Sequence, residues 1–241
     1  MSLSIVIPLR VTDVYRRRNW TVIFNHTREV AEALGAELVV AEHGRNYADR
    51  PGVRRVEVPG RFSRSKARNL GWRAATGAIV CFLDSDMVMP LKSWVGSVEA
   101  AADYDCFSPS RRLFKLGRLK TENRIRDGRY TFSPHGLPSI QGNLFGGIAF
   151  CRRSFLVDVG GWDERFAGHG YEDIAMEKLA YAGGYSVGFG DYPPIHLYHT
   201  SRQSTGKRRA RDLYRSEYAG RKFADILTRR GLVAPDRTPK P

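Results

Sequence analysis

Along the first ninety residues, short unbroken apolar runs alternate with longer stretches in which apolar positions recur every three or four residues. The apolar runs are Ser4–Pro8, Glu37–Ala41 and Ile79–Leu83, and Val53–Val58, where valine is interspersed with charge, gives a further short strand. Runs this short, bounded by proline, glycine or charge, read as strands buried on both faces. Residues 14–34 carry Trp20, Ile23, Phe24, Val30 and Leu34 at spacings of three, four and six to seven, which predicts a helix closed by Gly35. A second helix is expected from Ser65 to Ala75, stopped by Thr76-Gly77. Strand alternating with helix is the pattern of a mostly parallel, doubly wound α/β sheet. This half is built like a nucleotide-binding half-domain, although G-x-G-x-x-G and the P-loop lysine motif are both missing.

The second half is less regular. Residues 108–140 are basic and poor in apolar period, and read as a long loop or lid. Strands are expected at Gly146–Phe150 and Tyr185–Phe189, helices over 154–159 and 173–182, and a short strand or turn at Ile195–His199. An Arg-rich helical tail and a Pro-rich coil follow. The expected organisation is one domain over 1–205, with a nucleotide-sugar half (1–90) and an acceptor and catalytic half (91–205), then a basic tail over 206–241. There is no internal repeat.

Asp84 and Asp86 stand one residue apart at the end of the apolar run Ile79–Leu83, with Pro90 closing the segment. Open α/β sheets bind ligands at the carboxyl ends of their strands. Two carboxylates in such a crevice repel each other unless a cation lies between them, and hard oxygen ligands suit Mg²⁺ or Mn²⁺ shared with substrate phosphates. A polar strand-to-loop turn in which Asp86 caps the backbone is the plain alternative.

Length and charge narrow the partners. The 241 residues fit one α/β domain, and 42% hydrophobic content supplies a sizeable core. Cys81, Cys106 and Cys151 have no metal-like spacing, and an odd number argues against a disulfide framework, so a reducing cytoplasm is expected. No apolar run approaches a membrane-spanning length. The net charge of +14 resides in two segments: residues 108–130 hold eight basic and two acidic side chains, residues 201–241 twelve and four, and the remainder balances. Two basic segments on a neutral body point to an anionic partner, with solvated Arg-rich surface as the alternative.

Five motifs in order give these segments a family likeness. They are Ile7-Pro8-Leu9-Arg10; Phe62-Ser63-Arg64-Ser65-Lys66 with Asn69-Leu70-Gly71; Asp84-Ser85-Asp86; Gly146-Gly147 and Gly160-Gly161-Trp162 ahead of Gly170-Tyr171-Glu172-Asp173; and His196-Leu197-Tyr198-His199. In these the chain resembles inverting glycosyltransferases of the GT-A fold, most nearly the β-1,4-galactosyltransferase type and more loosely family 2, over about residues 4–205. The resemblance implies a GT-A fold: a single Rossmann-like nucleotide-binding domain with a mixed central sheet, here followed by the basic helical tail.

It also implies an enzyme transferring a sugar from a UDP-sugar to a hydroxyl, dependent on Mn²⁺ or Mg²⁺. The metal would lie on Asp84, Asp86 and His199, with His196 the second candidate histidine. Pro8, Arg10, Glu42, Phe62, Arg64, Lys66, Asp84, Ser85 and Gly147 would line the donor. Within that set Lys66, together with Arg68, is equally readable as solvated helix charge, and Glu42 as a surface acid. Asp173 matches the base that deprotonates the acceptor hydroxyl, with Glu172 an acceptor-binding carboxylate beside it; a helix N-cap is the plain reading of Asp173. Tyr171 stands where the family has glycine, His169 where it has a tryptophan, and His196 where it has methionine. His169 and Tyr171 are acceptor candidates, and so are Arg208, Arg209 and Arg211 of the tail. The acceptor is expected to be a polyanion, with DNA carrying a hydroxymethylated base first and an anionic lipid-linked glycan or a protein as alternatives. A non-catalytic nucleic-acid-binding protein on this scaffold is the reading from another class, but such a protein has no physical need for this set of carboxylates and histidines.

Overall fold

The computed structural model describes residues 1–44, 47–126, 139–141, 143–167, 170–200 and 206–235. Its first half follows the apolar pattern closely, as β1 (Leu3–Leu9), α1 (Val14–Leu34), β2 (Glu37–Glu42), β3 (Arg54–Glu57), α2 (Arg64–Ala74) and β4 (Ile79–Leu83). β1 pairs in parallel with both β2 and β4, and β2 with β3. β1 and β4 are buried throughout because both faces are covered, whereas β3, at the sheet edge, is charged and partly exposed. Ile5, Ile7 and Leu9 pack with Trp20, Ile23 and Phe24 of α1, while Val6, Val80 and Phe82 join the opposite layer. Asp13 caps α1 by accepting from the Arg16 amide at 3.0 Å, and Gly35 closes it in the left-handed conformation (φ 58°).

The second half adds β5 (Met87–Val88), α3 (Leu91–Ala101), β6 (Cys106–Ser108), β7 (Arg112–Lys115), α4 (Arg118–Arg126), β8 (Ser139–Gln141), β9 (Ile148–Arg152), α5 (Arg153–Asp158), α6 (Glu172–Ala182), β10 (Val187–Phe189), β11 (Ile195–His196), α7 (Lys207–Glu217) and α8 (Phe223–Arg229). The main sheet runs β10-β6-β9-β4-β1-β2-β3, and β9 is antiparallel to both of its neighbours. This is the mixed central sheet expected. Among the described residues no helix is long and apolar enough to cross a membrane.

Pro90 closes the β4–β5 segment as expected and stands at the N-cap of α3, which buries Trp94, Ser97 and Ala101. One expectation is corrected. The basic segment is more than a loop: 112–115 and 118–126 form β7 and α4, while 127–138 lie outside the described residues. Its apolar period is weak because β7 is short and α4 buries only Thr121. β7 belongs to a second sheet, β5-β11-β7-β8, whose strands come from widely separated parts of the chain. That sheet sets β11 antiparallel to β5, with His196 opposite Met87, and the Leu197 amide donates to the Asp86 carbonyl at 2.8 Å.

The tail residues Ala210, Tyr218, Ile226 and Leu227 are buried in the same layer as Phe155 and Leu179. Arg230 donates to the carbonyls of Val159 (2.7 Å) and Gly161 (2.8 Å), fixing the Gly-Gly-Trp turn after α5. From the other side Asn69 grips that turn: its Nδ2 donates to the Trp162 carbonyl at 2.8 Å and its Oδ1 accepts from the Trp162 amide at 2.8 Å. Two residues on, Gly71 lets α2 lie against β1, since a Cβ there would overlap Val6 Cγ1. Gly71→Ala is therefore expected to lower stability by about 1–3 kcal/mol in urea unfolding. Pairing it with Val6→Ala should cost less than the sum of the two single changes; simple additivity would place the strain elsewhere.

Candidate active site

Two clusters of charge meet beyond the carboxyl end of β4. The first surrounds Asp86, a buried residue (6% exposed) in the turn between β4 and β5. His199 Nε2 lies 3.1 Å from Asp86 Oδ2, and His196 Nε2 lies 3.7 Å from Oδ1. Potential ligand atoms from the three residues fall within 4.8 Å of one another. Backbone contacts hold the histidines there. The Leu116 amide donates to the His196 carbonyl at 3.0 Å, Thr121 Oγ1 accepts from the Tyr198 amide at 3.0 Å, and Asn19 Nδ2 donates to the Tyr198 carbonyl at 3.1 Å. The basic segment thus supplies a wall of the site through Leu116 and Thr121.

Arg16, in the first turn of α1, also enters this cluster. It is 3.6 Å from Asp86 Oδ2 and 3.2 Å from His199 Nδ1. The sequence reading did not single it out. A signal was present, because Arg16, Arg17 and Arg18 crowd a helix N-terminus, where the dipole disfavours cations. Burial pushes the Asp86 carboxyl up, but His196, His199 and Arg16 together pull harder and hold it well below the usual range. His199 is raised by its bond to Asp86, whereas burial lowers His196.

The second cluster centres on Arg68, which is 1% exposed. Its Nη2 donates to Asp84 Oδ1 at 3.0 Å, its Nη1 donates to Asp173 Oδ1 at 2.7 Å, and its guanidinium lies over the Trp162 ring, 4.2 Å from the centroid. Arg68 is not a solvated helix charge. Arg64 adds ion pairs to Asp84 (3.7 Å) and Glu172 (3.5 Å), and Glu172 accepts from the Gly170 amide at 2.6 Å. Asp84 thus pairs with Arg68 and Arg64, while the ligand atoms lying within 4.8 Å of one another are those of Asp86, His196 and His199. The Asp84 amide donates to the Gly147 carbonyl at 2.8 Å, and Gly147 (φ 99°) packs on Met87, where a Cβ would come within 2.9 Å of the methyl carbon. Burial pushes the Asp173 carboxyl up to about 6, with Glu172 and Asp84 adding to the rise and Arg68 and Arg64 opposing it. Asp173 lies in the first turn of α6, behind Tyr171, which occupies the N-cap position with φ 66° and makes no side-chain cap bond.

The other candidates fall in three places. Arg10 lies over Phe62 (4.9 Å to the centroid), and His43 meets the same ring edge-on at 5.7 Å. Beside them a cleft of about 600 Å³ is lined by Arg10–Val14, Arg17, His43, Gly44 and Tyr47, at the carboxyl ends of β1 and β2. Glu42 is no surface acid: it is 1% exposed and accepts from the Tyr47 amide (2.7 Å), the Ala48 amide (3.3 Å) and Arg55 (2.8 Å). Pro8 is buried within β1 opposite Ala41, Ser85 is half-buried in the β4–β5 turn, and Lys66 donates to the Pro59 carbonyl at 3.1 Å. Arg208 and Arg209 are exposed on α7, Arg211 is half-buried beside Asp212, and His169 lies outside the described residues.

With this geometry in place, comparison with known proteins decides the family. The model of glycosyl transferase family 2 matches residues 26–160, more than half of the chain. The chain belongs to glycosyl transferase family 2. No curated protein matches it. Among solved structures, this family 2 chain is similar to GalNAc-T7 crystallised with UDP, GalNAc and Mn²⁺ (TM-score 0.62, 14% identity, covering 90% of this chain and 49% of that one). It is also similar to the catalytic domain of Drosophila β1,4-galactosyltransferase 7 with xylobiose (0.56, 16%, 87% and 79%). A third is S. aureus TarS residues 1–349 with UDP-GlcNAc (0.55, 15%, 84% and 60%). The chain thus spans about half the length of the first of these and 60% of the third. At such identities the likeness establishes the shared fold.

For this family 2 chain the raised carboxyl yields a titration test. A group whose folded pKa lies above its unfolded value contributes stability below the unfolded value and loses it as pH rises through the folded one. Relative to Asp173→Asn, the wild type should therefore lose stability between about pH 4 and 6. Carbon-detected NMR should place the Asp173 midpoint near 6, and Arg68→Met should move it upward. A midpoint near 4 in both proteins would refute the burial argument.

Proposed function

We propose that the chain is a metal-dependent inverting glycosyltransferase that moves a sugar from a UDP-sugar to an acceptor hydroxyl. The observation that carries this reading is an Asp86–His196–His199 triad and an elevated Asp173 carboxyl in two charge clusters that share the β4–β5 turn, one through Asp86 and the other through Asp84. One carboxylate and two imidazoles suit a first-row divalent ion better than an all-oxygen preference such as that of Mg²⁺, so Mn²⁺ is the favoured cofactor. GalNAc-T7 crystallised with UDP and Mn²⁺ supports both choices. When bound on Asp86, His196 and His199, the ion supplies positive charge to the departing diphosphate.

The chain's own residues do the rest. The cleft beside Arg10, Phe62 and His43 receives the nucleoside, with the ring as an apolar platform and Arg10 and Arg17 as cations for phosphate. Glu42 supports this cleft by tying down Tyr47 and Ala48 instead of touching the donor. Gly147 keeps the backbone close to the sugar. Asp173, held at 2.7 Å by Arg68, accepts the proton of the acceptor hydroxyl as that oxygen bonds to the anomeric carbon and UDP leaves from the opposite face. Arg64 and Glu172 shape the acceptor side, beside Tyr171. Asp84 orients Arg68.

Calorimetry tests the donor half. UDP should bind more tightly with Mn²⁺ than without it, and Asp86→Ala or His199→Ala should remove that difference; equal affinities in the wild type would sink the metal reading. Asp173→Asn should leave UDP affinity intact and reduce turnover by ~10²–10⁴-fold. Retained activity there, with loss in Glu172→Gln, would move the base to Glu172.

For the acceptor we favour a polyanion, with duplex DNA bearing a hydroxymethylated base first, because exposed Arg208 and Arg209 lie on the helix that also meets Tyr171. DNA affinity should fall with salt at a slope of about −0.9 per phosphate neutralised, and charge reversal of Arg208, Arg209 and Arg211 should flatten that slope while sparing UDP binding. Binding to anionic vesicles without binding to DNA would reject the nucleic acid.

A further inference from the structure

Tyr171 is the only non-glycine residue with positive φ among the described residues, and it immediately precedes the Glu172–Asp173 pair. Its carbonyl accepts from the Ala175 amide at 2.9 Å, so its backbone conformation sets the first turn of α6 and the direction in which Asp173 points. A side chain in the left-handed region is penalised by contact between Cβ and the backbone, so something must hold it there. Its ring meets Tyr214 of α7, with centroids 5.7 Å apart and planes at 38°. Tyr214 in turn stacks on Tyr218, at 5.9 Å and 7°. Tyr218 is fully buried against Phe166, at 5.7 Å, and its hydroxyl donates to Asp163 at 2.7 Å, beside the Gly-Gly-Trp turn. Three tyrosines thus form a ladder from a buried anchor to the turn carrying the carboxylates. The energy of one aromatic pair is of the same order as the left-handed penalty, so losing one rung suffices to free the turn.

We propose that Tyr214 is a positioning residue for Asp173: its ring holds Tyr171 in the left-handed conformation that the active-site turn requires. This rests on the reading of Asp173 as the base. On this proposal Tyr214 acts on Asp173 through Tyr171, which gives a sharp genetic consequence. Glycine adopts the left-handed conformation without penalty, so in a Tyr171→Gly background Tyr214 should be dispensable for the turn.

Amide hydrogen exchange over residues 171–176 and Mn²⁺-dependent UDP release from UDP-galactose and UDP-N-acetylglucosamine should be measured on the full chain. Tyr214→Ala should speed exchange in that segment roughly ten-fold, the scale of a left-handed side chain's penalty. It should lower kcat similarly without raising the donor KM, and Tyr214→Phe should do neither. In the Tyr171→Gly background Tyr214→Ala should change neither quantity. If Tyr214→Ala fails to fold, Tyr214→Leu, which keeps apolar volume but loses the ring, carries the same comparison. Equal effects in both backgrounds, no effect in either, or faster exchange with unchanged kcat would overturn the proposal. Should the wild type release no UDP from either donor, the proposed reaction fails, and the exchange comparison alone still decides whether Tyr214 holds the turn.

Discussion

One buried guanidinium organises this molecule. Arg68 lies on α2 of the N-terminal half, yet its two nitrogens hold Asp84 at the end of β4 and Asp173 at the start of α6, while Trp162 covers its face. Without it three carboxylates, Asp84, Glu172 and Asp173, would share a buried space with only Arg64 to offset them. Removing one partner from such a buried set typically costs about 3–5 kcal/mol, because the remaining charges keep their desolvation penalty. The same arrangement divides labour between two neighbouring aspartates. Asp84 spends its charge on a protein cation, which leaves Asp86 to gather the histidines.

Much of the fold was legible in the sequence because its signals were local. β1, α1, β2 and β4 are each stated by their own residues: continuous apolar runs for doubly covered strands, a period near three and a half for the helix, Gly35 for its end. The second sheet was not legible. β5 and β11 are two residues long and β7 is four, and each is defined by a partner far along the chain. Charge misled as well, since the basic segment reads as solvated while its Leu116 and Thr121 hold the His196–His199 turn through backbone bonds.

The site shows the same division. Asp84, Asp86, Glu172, Asp173 and both histidines stand out because carboxylates at a strand end and paired histidines are chemically conspicuous. What the pattern could not reveal is which carboxylate faces which cation, because that is decided by side-chain direction across elements a hundred residues apart. Arg16 and Arg68 were hidden among 39 basic residues: burial marks out Arg68, and contact with Asp86 and His199 marks out the half-buried Arg16. Glu42 is the converse, a charged residue at a strand tip whose carboxylate is consumed by its own loop.

The bonds from Arg230 to Val159 and Gly161 also bear on the order in which a ribosome completes the molecule. β1 to β4 pair with one another within the first 83 residues and can form as the nascent polypeptide lengthens, N-terminal parts first. The turn after α5, by contrast, lacks its clasp until residue 230 has been made. A chain stalled before that point would carry β1 to β4 paired and the turn after α5 unfastened. Birth order in this protein therefore leaves the Gly-Gly-Trp turn to be fastened last.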